Sequence, residues 1–62
     1  MQTVYTLEPI TKEAKIWVGE NVQAEPYQWL GSNLVIEHRY IADIVAGMIE
    51  EGFLPNKDFR VS

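Results

Sequence analysis

Hydrophobic residues in the second half of the chain recur at the three- and four-residue spacing of one helical face. Between Glu37 and Phe53 they are Tyr40, Ile41, Ile44, Val45, Met48 and Ile49. This pattern predicts a long amphipathic helix with its apolar stripe turned towards a core. Gly52 follows the stripe, where a left-handed residue closes many helices, and Phe53 is placed to contact Met48 across the last turn.

A second, shorter helix is predicted in the first half of the chain. Thr11 is a suitable N-cap residue, and Ala14, Trp17, Val18 and Val22 follow along one helical face. Gly19 lies within this segment and lowers its helix propensity by about 1 kcal/mol relative to alanine. We therefore expect a short helix that depends on packing.

Alternating apolar and polar residues predict the strands. Residues 3–7 are rich in β-branched and aromatic side chains, and residues 58–61 alternate charged with apolar groups. Two short apolar runs, 27–30 and 34–36, flank Gly31-Ser32-Asn33. This arrangement is typical of a hairpin, and a single strand with a bulge at Gly31 is the alternative.

The element order is therefore strand, helix, strand or hairpin, helix, strand. It predicts one α+β domain, residues 1–62, with two helices packed on one face of a three- or four-stranded sheet. The side chains expected in the core are Trp17, Val18, Ile44, Val45 and Met48 from the helices and Leu7, Leu34, Ile36, Phe59 and Val61 from the strands.

Composition limits the classes of function. The 62 residues are 47% hydrophobic, carry a net charge of −4 and include no cysteine. An acidic chain has little general attraction for nucleic acid or anionic membranes. The N-terminal residues lack the pattern of a signal peptide, so we expect a cytoplasmic protein. Chains of this size rarely enclose a pocket of about 300 Å³ or more, which argues against an enzyme.

The surroundings of the single histidine contain no catalytic or metal-binding motif. His38 has no second histidine or cysteine three or four residues away, the spacing that a helical metal site uses. Ser32 is the nearest nucleophile in sequence, without the strand-turn-helix context of a nucleophile elbow. We therefore expect no catalytic residue, no metal site and no cofactor, and interpret His38 as a surface residue.

Two groups of residues are candidates for binding a protein partner. Tyr27 and Trp29 are predicted on one side of a short strand, and such aromatic residues are enriched at interfaces. Glu50 and Glu51, with Asp43, would present an acidic edge of the long helix to a basic partner. The alternative for these carboxylates is an ordinary solvated surface.

Small residues form a further stripe on the long helix, made up of Ala42, Asp43, Ala46 and Gly47. Small side chains at this spacing permit close approach of another backbone, and glycine is otherwise unfavourable in a helix. We expect the stripe to pack against the first helix of the same chain. A homodimer interface is the alternative, so a monomer is favoured over a dimer.

Five short segments give the chain a resemblance to small proteins carried on bacterial prophages and plasmids, which have no assigned activity. These segments are Pro9-Ile10-Thr11, Trp17-Val18, Trp29-Leu30-Gly31, Arg39-Tyr40-Ile41 and Glu51-Gly52-Phe53. The ending Asp58-Phe59-Arg60-Val61 resembles that of small phage excisionases, which are basic DNA-binding proteins.

Two hypotheses of function follow. The first is a bacterial accessory or regulatory protein that is not an enzyme and acts by contacting an unidentified protein. The alternative is an excisionase-like DNA-binding factor, in which Arg39, Lys57 and Arg60 form a local basic patch despite the net charge.

Overall fold

The computed structural model describes residues 3–62, which form two α-helices and a four-stranded antiparallel sheet. In chain order the elements are β1 (Val4–Pro9), α1 (Lys12–Asn21), β2 (Trp29–Leu30), β3 (Asn33–Glu37), α2 (His38–Glu50) and β4 (Phe59–Val61), with a 3₁₀ helix, Pro26–Gln28, before β2. The α+β class and the order of helices and strands agree with the sequence-based prediction.

The sheet has the strand order β2-β3-β1-β4, with β1 and β3 at its centre. Leu7 of β1 pairs with Leu34 of β3 on one side and with Val61 of β4 on the other. Because cross-strand partners lie on the same face of a sheet, these pairs define the face that both helices cover. The buried hydrophobic residues are Leu7, Leu34, Ile36 and Phe59 from the strands, Ala14 and Val18 from α1, and Ile41 and Met48 from α2.

The ends of both helices have the predicted caps. Thr11 Oγ1 accepts a hydrogen bond of 3.2 Å from the backbone N–H of Ala14 at the start of α1. At the end of α2, the Phe53 N–H donates to the Met48 carbonyl at 3.0 Å and the Gly52 N–H to the Ile49 carbonyl at 2.9 Å. Gly52 has φ +97°, so the two bonds form the expected Schellman motif.

The apolar stripe of α2 is wider than the surface that buries it. Successive helical residues are about 100° apart around the axis, which places Ile41 and Met48 at the centre of the stripe and Tyr40 and Ile49 about 180° apart at its flanks. The central pair is buried, whereas Tyr40 and Ile49 are each 51% exposed. Val61, also expected in the core, is 36% exposed because it ends an edge strand.

The two helices meet through Trp17 of α1, which is only partly buried. Its indole Nε1 donates to Glu51 Oε1 at 3.3 Å, and its ring meets Phe53 edge-on at a centroid distance of 6.4 Å. Gly47 lies directly opposite, since a Cβ at this position would be 3.2 Å from Trp17 Cη2. Gly47 therefore serves close packing within the chain, the first of the two alternatives considered for it.

The segment around Gly31 is a hairpin, as the first of the two alternatives predicted. Leu30 pairs with Asn33, so the turn contains only Gly31 and Ser32. Gly31 has φ +65°, and Ser32 is not among the residues with positive φ. A glycine at the first central position with this sign of φ fits a type II′ turn, whose twist matches that of the flanking strands.

The prediction that Tyr27 belongs to this strand is wrong. Tyr27 lies in the 3₁₀ helix, in which Pro26 occupies the first turn and Glu25 is the N-cap. Gln28 makes two hydrogen bonds to Glu25 across this turn. Its N–H donates to the Glu25 carbonyl at 2.9 Å, and its Oε1 accepts from the Glu25 N–H at 2.9 Å. Two local hydrogen bonds and the fixed φ of proline thus prevail over β propensity.

Candidate functional site

A groove of about 450 Å³ lies beside β3, between the C-terminal end of α1 and the first half of α2. We call it the β3 groove. Its lining residues are Asn21, Val22 and Gln23 after α1, Gln28 from the 3₁₀ helix, Leu34, Ile36 and Glu37 from β3, and Tyr40 and Ile44 from α2. The volume lies within the range of small ligand sites, but the groove is open to solvent and not enclosed.

The groove exists because β2 and α1 are both short. β2 pairs only with Asn33 and Leu34, and the residues that precede it form the 3₁₀ helix instead of continuing the pairing along β3. In place of a longer strand, the Gln28 side chain donates from Nε2 to the Val35 carbonyl at 3.2 Å. α1 ends at Asn21, and Val22 is extended, so the helix does not continue over the groove.

Apolar side chains form the inner part of the groove. Leu34 and Ile36 project from the helix-facing side of β3 and belong to the buried core. Val22 and Ile44 are partly buried and pack against the same core from the two helices. Leu34 is fully buried and Ile36 is only 4% exposed, so the apolar surface open to a bound group comes from Val22, Ile44 and Tyr40.

Polar side chains at the rim are partly engaged within the protein. Both ends of the Gln28 amide are hydrogen-bonded, to Val35 and to Glu25. Asn21 Nδ2 donates to the Trp17 carbonyl at 2.9 Å, which leaves its Oδ1 as an acceptor. Glu37 Oε2 accepts from Arg39 Nε at 3.1 Å.

Arg39 contacts two of the lining residues. Besides its ion pair with Glu37, its guanidinium carbon lies 5.1 Å from the centroid of the Tyr40 ring, a cation–π distance. The paired side chains of Arg39 and Glu37 are 64% and 57% exposed. Exposed pairs of this kind contribute about 0–1 kcal/mol, so Arg39 is held weakly.

The aromatic patch predicted from Tyr27 and Trp29 does not form as proposed. Tyr27 is 80% exposed, whereas Trp29 is partly buried, packs against the core and pairs with Leu34. Because cross-strand partners share a face, Trp29 lies on the helix-facing side of the sheet. Tyr27 is thus the more accessible of the two for a partner.

The acidic residues of α2 occupy different positions around the helix. Asp43 and Glu50 are exposed and lie close together by helical angle. Glu51 instead accepts the hydrogen bond from Trp17 Nε1 at 3.3 Å, so it already has a role within the chain. Sequence spacing alone did not distinguish Glu51 from Glu50.

The small residues of α2 are also divided. Gly47 faces Trp17, whereas Ala42 and Ala46 are exposed and lie more than about 90° away around the helix axis. The three residues therefore do not form one stripe.

The basic residues predicted for DNA binding are separated. Arg39 follows β3, next to the N-terminal end of β1, because the His38 N–H donates to the Thr3 carbonyl at 2.9 Å. Lys57 lies at the opposite end, where the Ile10 N–H donates to the Asp58 carbonyl at 2.7 Å. The six residues of β1 span about 20 Å. Arg60 pairs with Glu8 at 3.5 Å, so the three residues form no joint patch.

His38 and Ser32 do not form a catalytic pair. They flank β3, whose five residues span about 16 Å, so no hydrogen bond can join them. His38 Nδ1 lies 3.2 Å from the Thr3 carbonyl oxygen and is exposed. Among residues 3–62, no three potential ligands of the His, Cys, Asp and Glu types come together as a metal site.

Comparison of the chain with protein-family models, with curated proteins and with solved structures finds no match in any of the three. Within residues 3–62, neither helix combines the length and the apolar character that crossing a bilayer requires. The assignment of function therefore depends on the geometry of residues 3–62, and the β3 groove is a concave surface that they offer for binding. Sequence analysis missed this site because its lining comes from separate segments and contains no motif.

Proposed function

We propose that this protein is a non-enzymatic interaction module in an accessory or regulatory role, and that a segment of a partner protein binds in the β3 groove. The observation that carries the proposal is the groove itself, whose lining combines apolar surface of Val22 and Ile44 with the polar side chains of the residues around them. Recognition surfaces of proteins commonly have this arrangement, with a desolvated centre and a hydrated border.

Tyr40 is the residue in the groove best suited to contribute binding energy. It lines the groove, and it is 51% exposed in the free protein. A half-exposed tyrosine offers a large apolar area that a partner can cover, together with a hydroxyl group that can hydrogen-bond. Tyrosine is also among the residues that most often dominate binding energy at interfaces.

The shape of the groove favours a polypeptide partner. One wall is the exposed margin of β3 beyond the short β2, and the other is the first half of α2. A groove between a strand and a helix accepts an extended or helical segment whose side chains enter at intervals. The rim residues Asn21, Gln23 and Glu37 would then meet the polar groups of that segment.

A crosslinking experiment tests the proposal. A photoreactive phenylalanine analogue replaces Tyr40 in one version of the protein and Lys57, at the far end of β1, in another. We expect a defined crosslinked protein from the native host only for position 40. That protein is then purified and its affinity for the unmodified chain is measured.

Two tyrosine variants supply the decisive comparison. Tyr40→Ala should weaken binding of the purified partner by about 30-fold, as expected for a contact of about 2 kcal/mol. Tyr27→Ala removes the same side chain from an exposed position outside the groove lining and should change affinity by less than about three-fold. If Tyr27→Ala causes the larger loss, the partner binds elsewhere and the assignment of the groove is wrong.

A further inference from the structure

The unengaged polar atoms of the β3 groove favour a ligand that donates hydrogen bonds. Asn21 uses its Nδ2 on the Trp17 carbonyl, so Oδ1 remains as an acceptor. Glu37 uses Oε2 on Arg39, so Oε1 remains as an acceptor. Both atoms can only accept, whereas the Gln23 amide and the Tyr40 hydroxyl can donate or accept.

The charge of the groove lining also bears on the kind of ligand that it would bind. Glu37 is the only residue with a formal charge among those lining the groove, and the chain as a whole carries a charge of −4. Glu37 is also the N-cap residue of α2, so its carboxylate offsets the partial positive charge of the helix N-terminus. Arg39 balances the charge of Glu37 in the free protein, so a cationic group is favoured over an anionic one where it replaces Arg39 at this carboxylate.

Arg39 shows that this rim can hold a guanidinium group. Its side chain makes an ion pair with Glu37 at 3.1 Å and lies over the Tyr40 ring at 5.1 Å, and both of these residues line the groove. Arg39 itself does not line the groove. It therefore contacts two lining residues from outside the groove.

We infer that the β3 groove receives an arginine side chain of the partner protein, and that Arg39 competes with it for Glu37 and Tyr40 in the free protein. The aliphatic part of the incoming side chain lies against Val22 and Ile44, and its guanidinium reaches Glu37. This inference rests on the proposed function, because it names the chemistry of the segment that binds in the same groove.

The test is an NMR titration of the isotopically labelled protein with three blocked amino acids. The probes are N-acetyl-arginine N-methylamide, the norleucine analogue with a similar aliphatic chain and no charge, and the glutamate analogue. The titrations are made at low salt because exposed ion pairs are screened. We expect the arginine probe to shift amide signals of Gln23, Ile36 and Tyr40, with at least about five-fold higher affinity than norleucine.

Three variants separate this inference from general attraction to an acidic protein. Glu37→Gln should weaken binding of the arginine probe by about three- to five-fold, the upper part of the range for an exposed ion pair. Arg39→Ala should strengthen it by about two- to five-fold, because the competing guanidinium is removed. Lys57→Ala makes the same change in net charge at the opposite end of β1 and should leave the affinity unchanged. The amide spectrum of each variant reports whether it is folded.

Each of several results would overturn the inference. These are equal affinity for arginine and norleucine, preference for glutamate, equal effects of Arg39→Ala and Lys57→Ala, or no shifts in the groove. None of them decides the proposed function, since a partner crosslinked at position 40 and weakened by Tyr40→Ala would still bind in the groove. Conversely, arginine binding without any such partner would support the chemistry of the groove and contradict its use in protein recognition.

Discussion

Alanine substitutions at Gly19 and Gly47 should have opposite effects on stability, although both residues lie within helices. Glycine in a helix interior is about 0.8–1 kcal/mol less favourable than alanine. At Gly19, an added Cβ has no neighbour within 4 Å. Gly19→Ala should therefore stabilise the protein by about 0.5–1 kcal/mol.

Gly47→Ala gains the same helix propensity but places its Cβ 3.2 Å from Trp17 Cη2 and 3.3 Å from Trp17 Cζ2. The indole must move by a few tenths of an ångström, and it is held by Glu51 and by the edge contact with Phe53. Overpacking typically costs about 1–3 kcal/mol, and the partial exposure of Trp17 favours the low end. We expect Gly47→Ala to lower stability by about 0–1 kcal/mol in net terms.

Urea and thermal denaturation of the single variants measure this difference. In a domain of this size, 1 kcal/mol corresponds to a change in Tm of about 4–8 °C. Repeating Gly47→Ala in a Trp17→Phe background completes a double-mutant cycle, because phenylalanine lacks the distal ring atoms that the methyl group meets. There the substitution should recover most of its propensity gain. If Gly47→Ala stabilises the parent protein as much as Gly19→Ala does, the contact with Trp17 is not close and the reasoning fails.

Three further substitutions test individual parts of the fold. Met48→Ala removes a fully buried side chain and should cost about 2–5 kcal/mol in thermal denaturation, and an unchanged Tm would refute the assigned core face of α2. Gly52→Val imposes a β-branched residue at φ +97° and should cost more than about 1 kcal/mol in urea denaturation, whereas a neutral result would argue against the Schellman ending. Thr11→Ala removes the N-cap of α1 and should cost about 1 kcal/mol, with Thr11→Ser retaining most of the stability, and equal losses in the two variants would exclude a role for the hydroxyl group.

The parts of the fold that were predicted from the sequence are those specified by local interactions. The apolar stripe of α2 and its Schellman ending involve residues within one or two helical turns of each other, so spacing alone identifies them. The N-cap at Thr11 is equally local. Of the α2 residues predicted in the core, Met48 is buried but Ile44 and Val45 are only partly buried, and Ile41, which was not predicted there, is buried. The edges of the apolar stripe were also not predicted correctly, because the burial of Tyr40 and Ile49 depends on how far the sheet and α1 extend beneath α2.

The error at Tyr27 arose from a competing local signal. Residues 27–30 alternate in the manner of a strand, but Pro26 and the Glu25–Gln28 pair carry the signature of a capped turn. The strand is consequently reduced to Trp29–Leu30. Beyond it, the Gln28 side chain donates a hydrogen bond to the Val35 carbonyl of β3. One short turn therefore determines both the end of the sheet and the presence of the groove.

The groove itself could not be predicted from the sequence, because its lining comes from four elements that only tertiary pairing brings together. The residues that line the groove also differ in how much they contribute to the packing of the core. Leu34 and Ile36 belong to the buried core, so substitutions there would change stability and binding at once. Glu37 and Tyr40 are exposed at the rim and can be replaced with little loss of packing. A change in affinity caused by a Glu37 or Tyr40 variant thus reports on recognition and not on stability.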